Sequence, residues 1–263
     1  MSYEHILIDV VDGVGTITLN RPDKLNSFAG RMRQEIADAV AELSEHQGAR
    51  VMVITGAGRG FCTGADVRYL KELSDADDME GLTALVEAGR EVVTRIRTAP
   101  KPVIASVNGP AAGGGANLAL ACDIRIASDR ASIGQTFVRI GLHPDWGGTY
   151  FLPRLVGPAI AAELFFTGDM IPAAEAHRLG IFNRVVPHEQ LAEETSQLSA
   201  TLAAKPPLAL QLSKQAINRS LASSLEQMLD FELEAQIKCA QSEDGREGLA
   251  AFVEKRPPRF GSD

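Results

Sequence analysis

The sequence predicts an α/β fold with a C-terminal helical appendage, and two features carry that expectation. An apolar, β-rich run twice empties into a glycine-rich loop that opens toward a helix: residues 51–55 ahead of loop 56–66, and residues 102–107 ahead of loop 108–115. Such short, wholly apolar runs suit strands buried on both faces. From about residue 189 strand patterns cease, and the remainder reads as helix punctuated by Pro206 and Pro207.

The elements follow in order. Residues 4–11 and 14–19 are β-rich and flank Asp12-Gly13, the signature of a hairpin. Over residues 27–46, Met32, Ile36, Val40 and Leu43 recur at helical spacing, with Ser27 as candidate N-cap. A second helix spans about 80–98 and stops before Pro100. Residues 123–128 and 181–186 read as further strands, and residues 116–122 as a short helix after the triple glycine. A soft boundary near residue 200 divides an α/β core (1–200) from a helical region (201–263).

Of the 263 residues, 45 % are hydrophobic and 23 % charged, which excludes wholesale disorder and permits a large core. Cys62, Cys122 and Cys239 are odd in number and widely spaced, so no disulfide framework or cysteine-rich zinc site is expected. The five histidines show no metal-ligand spacing, and no metal is expected. A net charge of −8 argues against nucleic acid or anionic membrane as partner, leaving room for a local basic pocket. No apolar run approaches the roughly 20 residues that span a bilayer, and no secretory signal pattern opens the chain. The expected location is the cytoplasm.

A nucleotide-phosphate cradle fails on spacing. In the first loop the third glycine of G-x-G-x-x-G falls on Phe61, and neither loop has G-x-x-x-x-G-K-[ST]. A different use fits: glycines let backbone approach a ligand, and two loops from neighbouring strands, each offering one N–H, make an oxyanion hole. A helix after Gly113-Gly114-Gly115 adds positive potential there. The competing reading is that the glycines only permit tight turns.

The run Gly60-Phe61-Cys62-Thr63-Gly64-Ala65-Asp66 resembles a signature of the crotonase (enoyl-CoA hydratase/isomerase) superfamily. So do Pro100-Lys101-Pro102-Val103-Ile104-Ala105 through Gly113-Gly114-Gly115 to Cys122-Asp123. Leu19-Asn20-Arg21-Pro22, Gly147-Gly148-Thr149 and Phe252-Val253-Glu254-Lys255-Arg256 match in the same order, so the resemblance covers nearly the whole chain. It implies a crotonase-like spiral of strand-strand-helix units and an acyl-CoA thioester substrate, with coenzyme A part of the substrate and no separate cofactor. It places the hole at the backbone N–H groups of Thr63 and Gly114. It also implies that the two glutamates of hydratases are replaced here by Asn117 and Phe137.

A lone carboxylate remains nearby. Gly141-Leu142-His143-Pro144-Asp145-Trp146-Gly147-Gly148-Thr149 resembles the corresponding stretch of phenylacetate-pathway isomerase-like members. Asp145 is therefore the expected acid/base, its pKa raised by burial beside Phe137 and Trp146; an N-cap role for the helix near Gly147 competes. His143 is a candidate to orient Asp145, Trp146 a pocket wall, and Asn117 a supporting amide. The resemblance puts Lys24, Leu25, Ala65 and Asp66 at coenzyme A, with Phe252 and Lys255 arriving from a neighbouring subunit of a homotrimer or hexamer. The leading expectation is an enoyl-CoA isomerase. The alternatives are a hydratase or lyase using Asp145 and bound water, an Asp145 nucleophile, and a non-catalytic CoA-binding protein.

Overall fold

The computed structural model describes residues 3–261. Strands β1 (Ile6–Val11) and β2 (Val14–Leu19) form the expected antiparallel hairpin. Its turn puts Asp12 and Gly13 at φ 50° and 82°, the left-handed pair that the twist of adjoining strands favours. Helix α1 (Met32–Glu45) leads to β3 (Val51–Gly56), then α2 (Val67–Asp75) and α3 (Met79–Thr98). Strands β4 (Val103–Val107) and β5 (Ala111–Ala112) precede α4 (Gly114–Ala121), β6 (Ile124–Ser128) and β7 (Ser132–Gly134). Helices α5 (Gly148–Val156) and α6 (Pro158–Thr167), strand β8 (Met170–Pro172), α7 (Ala173–Arg178) and β9 (Arg184–Val186) follow. The chain closes with α8 (Leu191–Ala203), α9 (Pro207–Ser220), α10 (Leu225–Gln241) and α11 (Glu243–Glu254).

The large sheet has the order β1-β2-β3-β4-β6-β9, parallel from β2 onward. Burial of both faces explains its apolar strands. In β3, Met52 and Ile54 face the main core with α1 and α4, while Val51 and Val53 face a second cluster with Ile104, Ile126 and α8 residues Leu191 and Ala203. A period of two places successive side chains on opposite faces, so a strand lying between two helical layers must be apolar throughout. A small second sheet, β5-β7-β8, lies beside the glycine loop that precedes α4. The architecture is the mixed α/β fold expected.

Two boundaries differ from the sequence reading. The helix expected from residue 27 begins at Met32, and Ser27 caps nothing. Phe28 instead bridges to the first glycine loop: its N–H donates to the Gly64 carbonyl (2.7 Å) and its carbonyl accepts from Asp66 N–H (3.1 Å). The strand expected over 181–186 shrinks to β9, because Ile181 and Phe182 donate to the Ala176 carbonyl and close the end of α7. Helix α10 buries none of its residues in this chain, and Leu225, Leu229, Leu233 and Ile237 lie exposed at every fourth position.

Candidate active site

The two glycine loops meet after β3 and β4, beyond the carboxyl ends of parallel strands. Their contact is close. A Cβ on Gly115 would lie 2.1 Å from the Cys62 carbonyl oxygen, and one on Gly64 only 3.2 Å from the Gly114 nitrogen. Any side chain at Gly115 would force the loops apart. Gly64 moreover sits at φ 81°, where a Cβ is strained.

The backbone amides settle which groups are free. The Thr63 N–H is committed to the Leu25 carbonyl at 3.1 Å, so the expected Thr63 donor is corrected. The parallel bridge to Phe28 uses Gly64 O and Asp66 N, and it leaves the Ala65 N–H without a partner among the described residues. Gly114 is the first residue of α4, so its N–H has no preceding helical carbonyl and none elsewhere accepts from it. Ala65 and Gly114 each present an unpaired amide where the two loops meet. Both line a cavity of about 540 Å³, and the dipole of α4 favours negative charge at Gly114.

Across that cavity stands Asp145. Its Oδ1 is buried without a hydrogen-bond partner. Burial pushes its pKa from 3.8 up to about 6, against the opposing pull of the Arg33 charge, its own backbone N–H and His143. The N-cap position of α5 is Gly147, with no side-chain cap, so Asp145 does not cap this helix.

Asn117 holds the Asp145 turn in place. From the fully buried face of α4, its Nδ2 donates to the Asp145 carbonyl (2.8 Å) and its Oδ1 accepts from Gln135 Nε2 (2.7 Å). With both ends engaged, Asn117 supports the loop and lines no part of the cavity. Phe137, Trp146 and His143 do line it. Trp146 stacks on Phe28 at 4.5 Å between centroids, a contact that fixes one wall, while His143 is exposed at the mouth.

A wider outer cavity of about 670 Å³ shares Thr63, Ala65 and Val67 with the inner one and carries Lys24 and Asp66 on its wall. Leu25 lies at φ 48° and supplies the carbonyl that ties down Thr63. Asp66 caps α2 by accepting from Arg68 N–H (3.2 Å) and faces Arg21 at 3.6 Å, a loop-building role. Phe252 and Lys255, on and just after α11, line neither cavity of their own chain; Phe252 is 86 % exposed.

Sequence reasoning missed Phe28 and Arg33, and gave Ala65 a different place. Ala65, expected only at coenzyme A, carries the free N–H rather than Thr63: the Leu25 carbonyl takes the Thr63 N–H and the Phe28 bridge passes over Ala65, neither visible in the loop itself. Phe28 backs Trp146. Arg33 lies on the buried side of α1 beside Met32 and Ile36, and a charge on that apolar stripe was the available signal. Among the described residues no cluster of His, Cys, Asp or Glu could hold a metal, and no helix is long and apolar enough to cross a membrane.

Comparison with known proteins identifies the family. The family model described as enoyl-CoA hydratase/isomerase matches residues 9–263. The 1,2-epoxyphenylacetyl-CoA isomerase of Escherichia coli K12 is 42 % identical over 259 residues, 98 % of each chain. The crotonyl-CoA hydratase of Syntrophomonas wolfei is 38 % identical over 261 residues, 99 % of each chain. The crystal structure of an enoyl-CoA hydratase from Bacillus anthracis superposes with a TM-score of 0.93 at 37 % identity, covering 99 % of this chain and 100 % of that one. This chain belongs to the enoyl-CoA hydratase/isomerase family of the crotonase superfamily, whose members act on acyl-CoA.

Proposed function

We propose that this chain is an enoyl-CoA isomerase that moves a double bond with Asp145 as the only proton carrier. The carrying observation is the lone buried carboxylate across the cavity from two unpartnered amides, with Asn117 and Phe137 unable to move a proton.

The reaction needs one shuttled proton. The Asp145 carboxylate takes a proton from the α-carbon of a β,γ-enoyl thioester. The C–H electron pair moves into the bond between the α-carbon and the carbonyl carbon, and the carbonyl π pair moves onto the thioester oxygen, leaving negative charge there. Ala65 and Gly114 N–H groups stabilise that dienolate. Protonated Asp145 then gives the proton to the γ-carbon as the β,γ π pair takes it up; the carbonyl re-forms, the pair between the α-carbon and the carbonyl carbon moves to the α,β bond, and the product is conjugated. One such donor is worth roughly 3 kcal/mol, so the pair supplies about 6 kcal/mol if the contributions add. A carboxyl with a pKa of about 6 both accepts and donates near neutrality.

The outer cavity, lined by Lys24, Ala65 and Asp66 with Leu25 next to Lys24 in the chain, is the proposed path of coenzyme A. The apolar row of α10, together with Leu249, Phe252 and Val253 of α11, supports assembly into a homotrimer or hexamer, with Phe252 and Lys255 delivered to a neighbour's nucleotide. A second reading is hydration by Asp145 and a bound water, favoured by the hydratase names of the Syntrophomonas and Bacillus relatives.

The test is incubation with 3-enoyl-CoA in deuterated water, following conjugated thioester by absorbance. Rapid double-bond shift, lost in Asp145→Asn, is expected. No shift, or full activity in Asp145→Asn, rejects the isomerase. Efficient hydration of 2-enoyl-CoA with negligible shift selects the second reading.

A further inference from the structure

Arg33 is the unexplained charge in this site. It is 3 % exposed and lines the acyl cavity from α1. Its Nε and Nη1 are buried with no hydrogen-bond partner, and its guanidinium makes no ion pair among the described residues. The guanidinium carbon lies 5.2 Å from the centre of the Phe28 ring, whose face offers partial compensation. Burial lowers its pKa and the Asp145 charge opposes that, so the two groups face one another without contact. The Oδ1 of Asp145 is unpartnered as well.

Leaving a buried guanidinium unpartnered is costly, and native structures satisfy such groups with protein, water or ligand. The wall residues Leu82, Leu85, Val86 and Phe137 are apolar and cannot satisfy it, and none of the polar groups that also line the cavity hydrogen-bonds its Nε or Nη1. A pure hydrocarbon acyl chain would remove water from Arg33 and give nothing in return. Charge fixes the class of group further. Arg33 and ionised Asp145 together are neutral, so a carboxylate at this point would crowd Asp145 with like charge. A neutral acceptor oxygen suits both.

Resting on the acyl-CoA reading above, we infer that Arg33 is a specificity residue, and that the preferred acyl group carries a neutral acceptor oxygen (keto, hydroxyl or ether) placed to accept from its guanidinium. The inference concerns recognition and leaves the proton shuttle unchanged.

The test measures binding by calorimetry, so it is independent of turnover. The probes are octanoyl-CoA, its congeners with a keto group at each position from C4 to C7, and suberyl-CoA as the carboxylate. At least one keto congener is expected to bind roughly ten- to a hundredfold tighter than octanoyl-CoA, the worth of a hydrogen bond to a charged group. Arg33→Met should erase that preference while octanoyl-CoA binds as well or better. Arg33→Lys, which keeps a charge but not the planar fork, should retain part of it. Melting of both variants with bound octanoyl-CoA at or above the parent's temperature excludes a folding defect. Equal binding of every neutral probe to the unmodified protein, preference for suberyl-CoA, or a keto preference that survives Arg33→Met would overturn the inference while leaving the acyl-CoA reading intact. Failure of every acyl-CoA to bind would overturn both.

Discussion

Replacing Asp145 with asparagine should abolish double-bond migration and at the same time make the protein more stable at neutral pH. The carboxyl titrates at about 6 in the folded chain against an ordinary 3.8. At about 1.36 kcal/mol per pH unit, the folded state is penalised by about 3 kcal/mol once the group is ionised in both states. The sign follows from the direction. Below about pH 3.8 both states hold the proton and nothing is lost. Between there and about pH 6 the unfolded chain ionises first, so stability falls as pH rises; above pH 6 the full penalty stands. Asparagine mimics the protonated form and removes it. For 263 residues, an unfolding entropy of about 2 cal/mol/K per residue turns 3 kcal/mol into a rise of roughly 5 °C in Tm. The measurement is thermal unfolding of both proteins at pH 8 and pH 5, at equal concentration because assembly shifts Tm. The gap should be roughly 5 °C at pH 8 and about half that at pH 5. A variant no more stable than the parent at pH 8, or a gap that does not change with pH, refutes the claim that burial raises this carboxyl.

The remaining expectations are briefer. Because Asp145 must be ionised to accept the first proton, kcat/KM for isomerisation should rise tenfold per pH unit below about 6 and level off above; a profile flat from pH 5 to 8 contradicts it. Asn117→Ala strips the Asp145 carbonyl and Gln135 of a buried partner, with an expected loss of about 2 kcal/mol in urea unfolding and a lower kcat; wild-type values for both would mean the clamp is idle. At Gly89 of α3 a methyl would lie 2.2 Å from Trp146 Nε1, so Gly89→Ala should cost about 1–3 kcal/mol and raise KM as the wall shifts; unchanged denaturation and KM argue against a fixed Trp146. Gly115→Ala should reduce kcat by two orders of magnitude or more, by prising the two amides apart, the loss expected for one oxyanion donor. Retained kcat would show that the loops tolerate separation.

What the sequence revealed and what it hid divide along physical lines. The hairpin at Asp12-Gly13, the doubly buried strands and the long helix ending before Pro100 are local patterns, and each appears in the structure. The second sheet did not show, because β5, β7 and β8 are only two or three residues long and their pairing is set by tertiary contact. Asp145, Gly114, Trp146 and Phe137, singled out from separate motifs, line one cavity. The identity of the second amide did not come through. Thr63 and Ala65 are two residues apart, and which keeps a free N–H depends on the Leu25 carbonyl taking Thr63 and the Phe28 bridge passing over Ala65, contacts that join segments far apart in sequence. Arg33 was hidden for a related reason: its position beside Met32 is local, but its facing Asp145 depends on how α1 crosses the sheet.

The most direct measurement is a crystal structure with an unreactive acyl-CoA thioester bound. We expect the thioester oxygen about 3 Å from both the Ala65 and the Gly114 nitrogens, the range of a real hydrogen bond, with the Asp145 carboxyl against the acyl carbons. A thioester oxygen lying away from either amide, or an acyl chain running through a channel that Asp145 does not reach, would contradict the proposed site.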